Sequence, residues 1–557
     1  MKKNIRKMFT KDTEDTPQET GIKSFNDIFT FLKDNKKFLL IICLFTLLIY
    51  ANIITGDFVN LDDYSKAFTA PEFKDFGLAL KSLDAFTILM SIIVQTFGIK
   101  SSVFHITSIL FHMINGILVF TLLNILFEKR ISIIGTLLFL AHPANTEAIS
   151  WHAGIWYAGR TTIIIPILIF FALFKKTENK VFLITSTILY IFSLIFYRSG
   201  GWILVTPFLL VLMDQFIIEK KIKISNIKQY LPYLLASIAF ALYLLPGFIK
   251  ERIEGLQTLY YVDTETATPL INRIPYTIYM EYRTLFYPKI LSIYHEGKYI
   301  KPSEYTFMVF LTFAVFFAVF YFMKKDRRIS GLLLMIIFGV LPSFSPVIVA
   351  WIAAERYLYI PSIFSSVIIS IGLIYIESRI NEKNKRQGKI KKGSEKNNFV
   401  LYASIIIISL YSIRTVLRNN DLRNSKNLWI ASKKTAPYSY RVYNNMGDVL
   451  ANEGDLDGAL ENFKRSFALK PDYADAVHNI GHIYMVRGNL PQAKRYLEQS
   501  LQMNPRLFPS AYKLGAIYME ERDFENAKKY FEACLQYEPA SVDCSSGLQT
   551  ANQMLSQ

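Results

Sequence analysis

Apolar runs of close to 20 residues recur from about residue 37 to about residue 418, separated by short polar loops. A helix needs about 20 such residues to cross the hydrocarbon layer, where each backbone group must be satisfied within its own segment. The spacing predicts eleven spans: about 37–55, 101–127, 131–150, 154–174, 180–197, 201–218, 230–249, 305–323, 330–350, 356–376 and 399–418. Residues 84–98 are apolar but short, and read as an interfacial helix. A polar stretch of about 36 residues precedes the first run, which does not fit a cleavable signal peptide.

The formal charge of +17 raises the question of nucleic acid, and its distribution answers it. Lys and Arg sit in short clusters between apolar runs, as membrane topology requires, and form no basic stripe on a soluble domain. Nucleic acid is therefore set aside as a partner. With eleven spans the Lys-rich N-terminus, Glu128-Lys129-Arg130 and the loops 175–180, 219–228, 324–328 and 379–396 all fall on one side. The positive-inside rule makes that side cytoplasmic, where these loops meet anionic membrane lipid. The loops 56–100 and 250–304, and the turns near 151–153, 198–200 and 351–355, then face outward. The expectation is a multi-pass protein of the plasma membrane with a cytoplasmic N-terminus and an extracytoplasmic C-terminal domain.

Residues 419–557 read differently. Pro437, Pro471, Pro505 and Pro539 are spaced 34 residues apart, and Gly447, Gly481 and Gly515 keep the same period, as do Ala459, Ala493 and Ala527. This is the tetratricopeptide signature: small Gly and Ala let two antiparallel helices approach closely, and Pro follows each second helix. Repeats at about 438–471, 472–505 and 506–539 are the three needed to bury a continuous core. Segment 425–436, with Trp429, reads as an upstream half-repeat, and 541–555 as a capping helix. The fold class is all-α: a cytoplasmic polar N-terminus (1–36), a transmembrane bundle (37–418) and a tetratricopeptide solenoid (419–557). Such arrays bind peptides or proteins in a concave groove, or else cap or dimerise. Cys43, Cys534 and Cys544 lack metal-type spacing, and the last two can pair if their domain lies outside the cytoplasm.

Candidate chemistry gathers in the outward segments. Asp62 and Asp63 lie in Phe58-Val59-Asn60-Leu61-Asp62-Asp63, a few residues past the first span. A carboxylate there can take the proton of an attacking hydroxyl; from spacing alone an ordinary solvated turn fits better, since acidic pairs are common in loops. His142-Pro143-Ala144-Asn145-Thr146-Glu147 ends the third span and is followed by Trp151, His152 and Arg160. Pro143 should break the helix, and Glu147 could pair with Arg160 across the turn. Glu355-Arg356-Tyr357 opens the tenth span, where an Arg is placed to hold a phosphate or, equally, to anchor at the interface. Arg198 is a further outward cation, and the 250–304 loop adds Arg252, Arg273, Arg283 and His295.

These motifs, their order and the terminal repeats resemble the transmembrane and tetratricopeptide-repeat-containing O-mannosyltransferases and their bacterial relatives, in the GT-C class of glycosyltransferases. The resemblance rests on Phe58–Asp63, on Ala141-His142-Pro143-Ala144-Asn145-Thr146-Glu147-Ala148, and on Ala354-Glu355-Arg356-Tyr357-Leu358-Tyr359-Ile360-Pro361-Ser362. It implies inverting transfer of one sugar from a polyprenyl-phosphate donor to an extracytoplasmic acceptor, with Asp62 or Asp63 as base and Arg356 on the lipid phosphate. His142, Glu147, Arg160, Arg198, Glu355 and Tyr357 would shape the substrate pocket. No metal is obligatory in that picture, although the acidic pair could bind a divalent ion. Where the family carries Ser-Lys-Glu, this chain has Ser199-Gly200-Gly201, with Arg198 as the nearest cation. The competing reading is a non-catalytic membrane scaffold whose repeats recruit an envelope protein.

Overall fold

A computed structural model describes residues 22–60, 71–196, 201–219, 222–258, 270–294, 300–344, 353–387 and 398–557. Every regular element among them is helical. The chain divides into two compact units: residues 1–245, 267–291 and 300–424 form the first, and 246–266, 292–299 and 425–557 the second.

In the first unit, six helical segments among the described residues are long and apolar enough to cross a membrane: Lys36–Ile53, Ser101–Leu126, His152–Thr177, Pro302–Lys325, Pro361–Asn384 and Phe399–Asp421. Shorter apolar helices run over Ala85–Phe97, Lys180–Phe196 and Trp202–Ile218. Several of the eleven expected runs are divided. The 131–150 run stops at Ala141, turns through Pro143–Asn145 and resumes as Thr146–Ser150. Pro143 lacks the amide that would continue the helix. In the 330–350 run the helix Arg327–Gly339 stops ahead of a Leu341–Phe344 turn that contains Pro342, and 345–350 lie outside the described residues. The 201–218 run is a turn, a short helix and a wide turn over Met213–Ile218. The 230–249 run lies within Ile227–Thr258. The polar N-terminus includes a helix at Phe25–Asp34 whose Phe25 ring lies 5.4 Å from that of Phe182.

Small residues set how closely these helices approach. A Cβ on Gly116 would lie 2.8 Å from a Leu140 methyl and 3.0 Å from one of Ile42. Ser362, Ser366 and Ser370 form a buried stripe, in which Ser366 donates to the Ser362 carbonyl and Ser370 to the Ser366 carbonyl, each at 2.7 Å. Without a hydrophobic drive between helices in lipid, such small stripes allow the backbones to pack.

The second unit stacks helix pairs Tyr440–Asn452/Leu456–Leu469, Ala474–Val486/Leu490–Met503 and Phe508–Glu520/Phe524–Tyr537, closed by Val542–Leu555. The periodic glycines sit where the partner helix presses in: a Cβ on Gly447 would lie 2.5 Å from Phe463, and one on Gly515 2.7 Å from Phe531. Asp455, Asn489 and Asp523 cap the second helices at the same period. Tyr484 stacks on Tyr496 and Tyr518 on Tyr530, each at 5.5 Å. Upstream, fully buried Trp429 in the Ser425–Thr435 helix stacks on Tyr294 at 5.9 Å. Cys534 and Cys544 form a disulfide with Cα atoms 6.3 Å apart.

Candidate functional site

Three segments far apart in sequence meet around Glu147. Breaking the helix at Ala141 leaves carbonyls that need new partners. Asn145 donates to the Phe139 carbonyl at 2.8 Å, and Ser362 donates to Asn145 Oδ1 at 3.0 Å, so the turn is tied to the Pro361–Arg386 helix. Tyr359 is held from the other side. Its hydroxyl lies 2.6 Å from His112 Nδ1 and accepts from Asn115 Nδ2 at 3.1 Å. These ties hold the Glu355–Leu358 turn over the Thr146–Ser150 helix.

Glu147 then pairs with Arg356. The Arg356 backbone amide donates to Glu147 Oε2 at 3.0 Å, and its Nη1 donates to Oε1. The Arg356 guanidinium lies 5.0 Å from the Trp151 ring and 5.1 Å from that of Tyr357. The neighbouring Glu355 accepts from Arg418 Nη2 at 2.9 Å and from its Nε at 3.3 Å. Burial pushes the Glu355 carboxyl up to about 7, while Arg418 pulls it down and Glu147 adds to the rise. Each of the two buried carboxyls thus faces an arginine, the pairing that buried ions need to persist.

The expected Glu147–Arg160 pairing is not what forms. The Arg160 guanidinium instead lies over the Trp156 and Tyr157 rings, at 5.9 and 5.8 Å. Tyr157, Trp202 and Tyr357 form an aromatic triangle with centroid separations of 5.0–5.8 Å. His142 is a structural tie. Its Nδ1 accepts from the Ala144 amide at 3.2 Å, which leaves Nε2 to donate to the Leu285 carbonyl at 2.9 Å.

The chain leading to the acidic pair is anchored as far as Phe58. The Asp57 amide donates to the Arg423 carbonyl at 2.8 Å, Ser101 donates to the Gly56 carbonyl at 2.5 Å, and the Phe58 ring lies 4.4 Å from that of His152. Asp62, Asp63, Arg198 and His295 lie outside the described residues. Among the described residues no group of three or more His, Cys, Asp or Glu is arranged to hold a metal.

Sequence reasoning missed Arg418, whose only signal was a cation near the end of the last apolar run. It also missed a second buried charge cluster, where Lys175 meets Asp214 at 3.3 Å and Glu219 at 3.1 Å. Asp214 further accepts from Asn226 at 3.2 Å and from Tyr230.

The fold and site together define a polytopic helical membrane protein with an internal ion-pair network and a terminal tetratricopeptide solenoid. Models of the tetratricopeptide repeat match residues 450–516 and 508–541. The chain is similar to human protein O-mannosyl-transferase TMTC3, at 22% identity over 427 residues, 67% of this chain and 43% of that one. It is similar to a Caenorhabditis elegans protein O-mannosyl-transferase at 22% identity over 479 residues, 78% of this chain and 63% of that one. Protein O-mannosyl-transferase tmtc2 of Xenopus laevis is 29% identical over 132 residues, 23% of this chain and 14% of that one. The chain thus spans less than half the length of the human relative, and is a distant relative of proteins named for O-mannosyl transfer. The crystal structure of APC/C hetero-tetramer Cut9-Hcn1 covers 71% of this chain and 76% of its own at 12% identity and a TM-score of 0.24, too low to define a shared fold.

Proposed function

We propose that this chain is an integral-membrane glycosyltransferase that moves a single sugar from a polyprenyl-phosphate donor to Ser or Thr of an extracytoplasmic protein. The acceptor oxygen attacks the anomeric carbon, its proton passes to Asp62 or Asp63, and the bond from the anomeric carbon to the phosphate oxygen breaks. One base and a stabilised leaving group suffice for such an inverting displacement, so no covalent intermediate and no obligatory metal are required. Arg356 stabilises the departing lipid phosphate. It does so as half of an ion pair, so the phosphate meets an oriented dipole that Glu147 holds in place. The Tyr157–Trp202–Tyr357 triangle offers an apolar face to a sugar ring.

The observation that carries this reading is the meeting of Glu147, Glu355 and Arg356, which brings together two of the sequence segments on which the family resemblance rests. The Cys534–Cys544 disulfide supports an extracytoplasmic solenoid, because such bonds persist in oxidising compartments. The repeats are then suited to present the acceptor polypeptide.

The test is reconstitution of the purified protein with radiolabelled polyprenyl-phosphate hexoses and membrane-free extract of its host, comparing wild type with Asp62→Asn, Asp63→Asn and Arg356→Ala. Label reaching protein in wild type and lost in the Asp variants supports the proposal. Label reaching glycan or lipid keeps the chemistry and changes the acceptor. Partner capture by the repeats with no transfer from any donor favours a scaffold, a reading that the neutralised state of Arg356 also fits.

A further inference from the structure

The Leu270–Phe286 helix carries two buried faces. Ile274, Ile278, Tyr282 and Leu285 pack into the core of the first unit. One residue round the helix, Arg273, Thr277 and Glu281 form a second row at intervals of four, with 6%, 0% and 3% of their surfaces exposed. Among the described residues, Arg273 Nε and Nη1, Thr277 Oγ1 and Glu281 Oε2 are all buried without a hydrogen-bond partner. Intervals of four place the side chains one above another on a single face, about 12 Å from end to end at 1.5 Å per residue. That distance is too long for Arg273 and Glu281 to pair directly.

Such a row is not a structural feature of an ordinary core. Buried polar groups in native proteins are nearly always bonded, and an uncompensated buried ion is among the most destabilising arrangements known. In membrane proteins, ionisable groups of this kind mark substrate pathways. The helix also touches the candidate site. It packs against the Glu355–Leu358 turn, and its Leu285 carbonyl receives His142 and Tyr411. The Leu341–Phe344 turn, packed on the same helix, adds Ser343, whose hydroxyl is likewise buried without a partner among the described residues.

We propose that Arg273, Thr277 and Glu281 form the subsite for the sugar head group of the lipid donor, an inference that rests on the transferase reading above. The ligand must offer donors to a carboxylate and acceptors to a guanidinium, and exchange both with hydroxyls, along one line. A hexose does this. Its vicinal hydroxyls donate to Glu281, its ring and hydroxyl oxygens accept from Arg273, and Thr277 serves either way. The phosphate falls to Arg356 in the adjoining turn. Sugar identity is then read by the helix and the lipid phosphate by the turn.

The experiment measures binding of two probes to the purified full chain in lipid nanodiscs: a polyprenyl-phosphate hexose and the same polyprenyl phosphate without sugar. Glu281→Gln and Thr277→Val are each expected to weaken the sugar-bearing probe by about tenfold and leave the sugar-free probe unchanged, because a site built around a hydroxyl leaves it unpaired when its partner is removed. Equal weakening of both probes, or of neither, overturns the subsite. Should Glu281→Gln fail to fold, Thr277→Val decides alone, since it deletes only a hydroxyl. Wild type binding neither probe overturns the transferase reading itself, an outcome distinct from wild type binding both with unchanged variants.

Discussion

Glu147 and Arg356 form an ion pair across 209 residues of sequence, with side chains 0% and 4% exposed. Removing one partner leaves the other as an uncompensated buried charge. Glu147→Gln should therefore destabilise the first unit by about 3–5 kcal/mol. The double variant Glu147→Leu/Arg356→Met should recover much of that loss. Thermal unfolding of the four members of the cycle in detergent checks this. A double variant as unstable as the sum of the singles would show that the two groups are not coupled.

Arg522 holds a left-handed backbone conformation, φ 61°, where Gly454 and Gly488 stand at the equivalent turns of the preceding repeats, with φ of 85° and 74°. A residue with a Cβ is strained there, and glycine is not. Arg522→Gly should therefore stabilise the last repeat by about 1 kcal/mol, seen as slower protease cleavage within 508–537. Unchanged or faster cleavage would mean that the Arg side chain contributes more than the strain removes.

The repeats were legible because each contact that defines them is local. Gly447 meets Phe463 only 16 residues on, and the contact recurs at the 34-residue period. The apolar runs were legible for the same reason, although Pro143 and Pro342 divide what hydropathy alone joins. The partner of Glu147 was not legible. Arg160 is nearer in sequence, but only the packing of the Glu355–Leu358 turn onto the Thr146–Ser150 helix decides for Arg356. The Arg273–Thr277–Glu281 row has a visible period, but a polar helical face is ordinarily solvated. Its burial is a tertiary fact that period cannot supply.

Gly447→Ala places a methyl 2.5 Å from Phe463 Cε1, 2.7 Å from Cδ1 and 2.9 Å from Cζ. Phe463 is 2% exposed and has no open side to turn into. The substitution should cost about 1–3 kcal/mol, as overpacked cores do. The check is hydrogen exchange over 440–469 in the full chain, where protection should fall in the first repeat more than in the third. Uniform protection would show that the ring relocates freely.

The Cys534–Cys544 bond ties the last repeat to the capping helix. Its closed loop is short, so the expected contribution is about 2–3 kcal/mol on loop-closure grounds. Cys544→Ser should lower the unfolding temperature of the capping helix and leave the first two repeats unaffected. Thiol labelling of denatured, unreduced protein isolated from its own host should modify Cys43 alone. Labelling of all three cysteines would argue against an oxidising location for the solenoid.

The solenoid should respond to pH through two opposed pairs of groups. Burial pushes Asp448 up to about 7, aided by Asp475, and burial likewise raises Asp475 to about 7. Burial lowers His478 to about 3 and His482 to about 4, with Lys513 adding to both shifts. A carboxyl raised in the folded state binds its proton more tightly there than in the unfolded chain, so its contribution is lost as pH rises from about 4 to about 7. A lowered His binds its proton less tightly when folded, so its contribution is lost as pH falls from 6.5 toward 3–4. Between about pH 4 and 6.5 the two pairs cancel, and the wild-type solenoid should be nearly flat. Asp448→Asn removes one falling component, and stability should then rise with pH across that window by up to about 1.4 kcal/mol per unit. His478→Gln should give the opposite slope. Protease susceptibility of residues 440–537, followed from pH 4 to 6.5 in both variants, reads the two signs directly, and slopes of the same sign would exclude burial as the cause of the shifts.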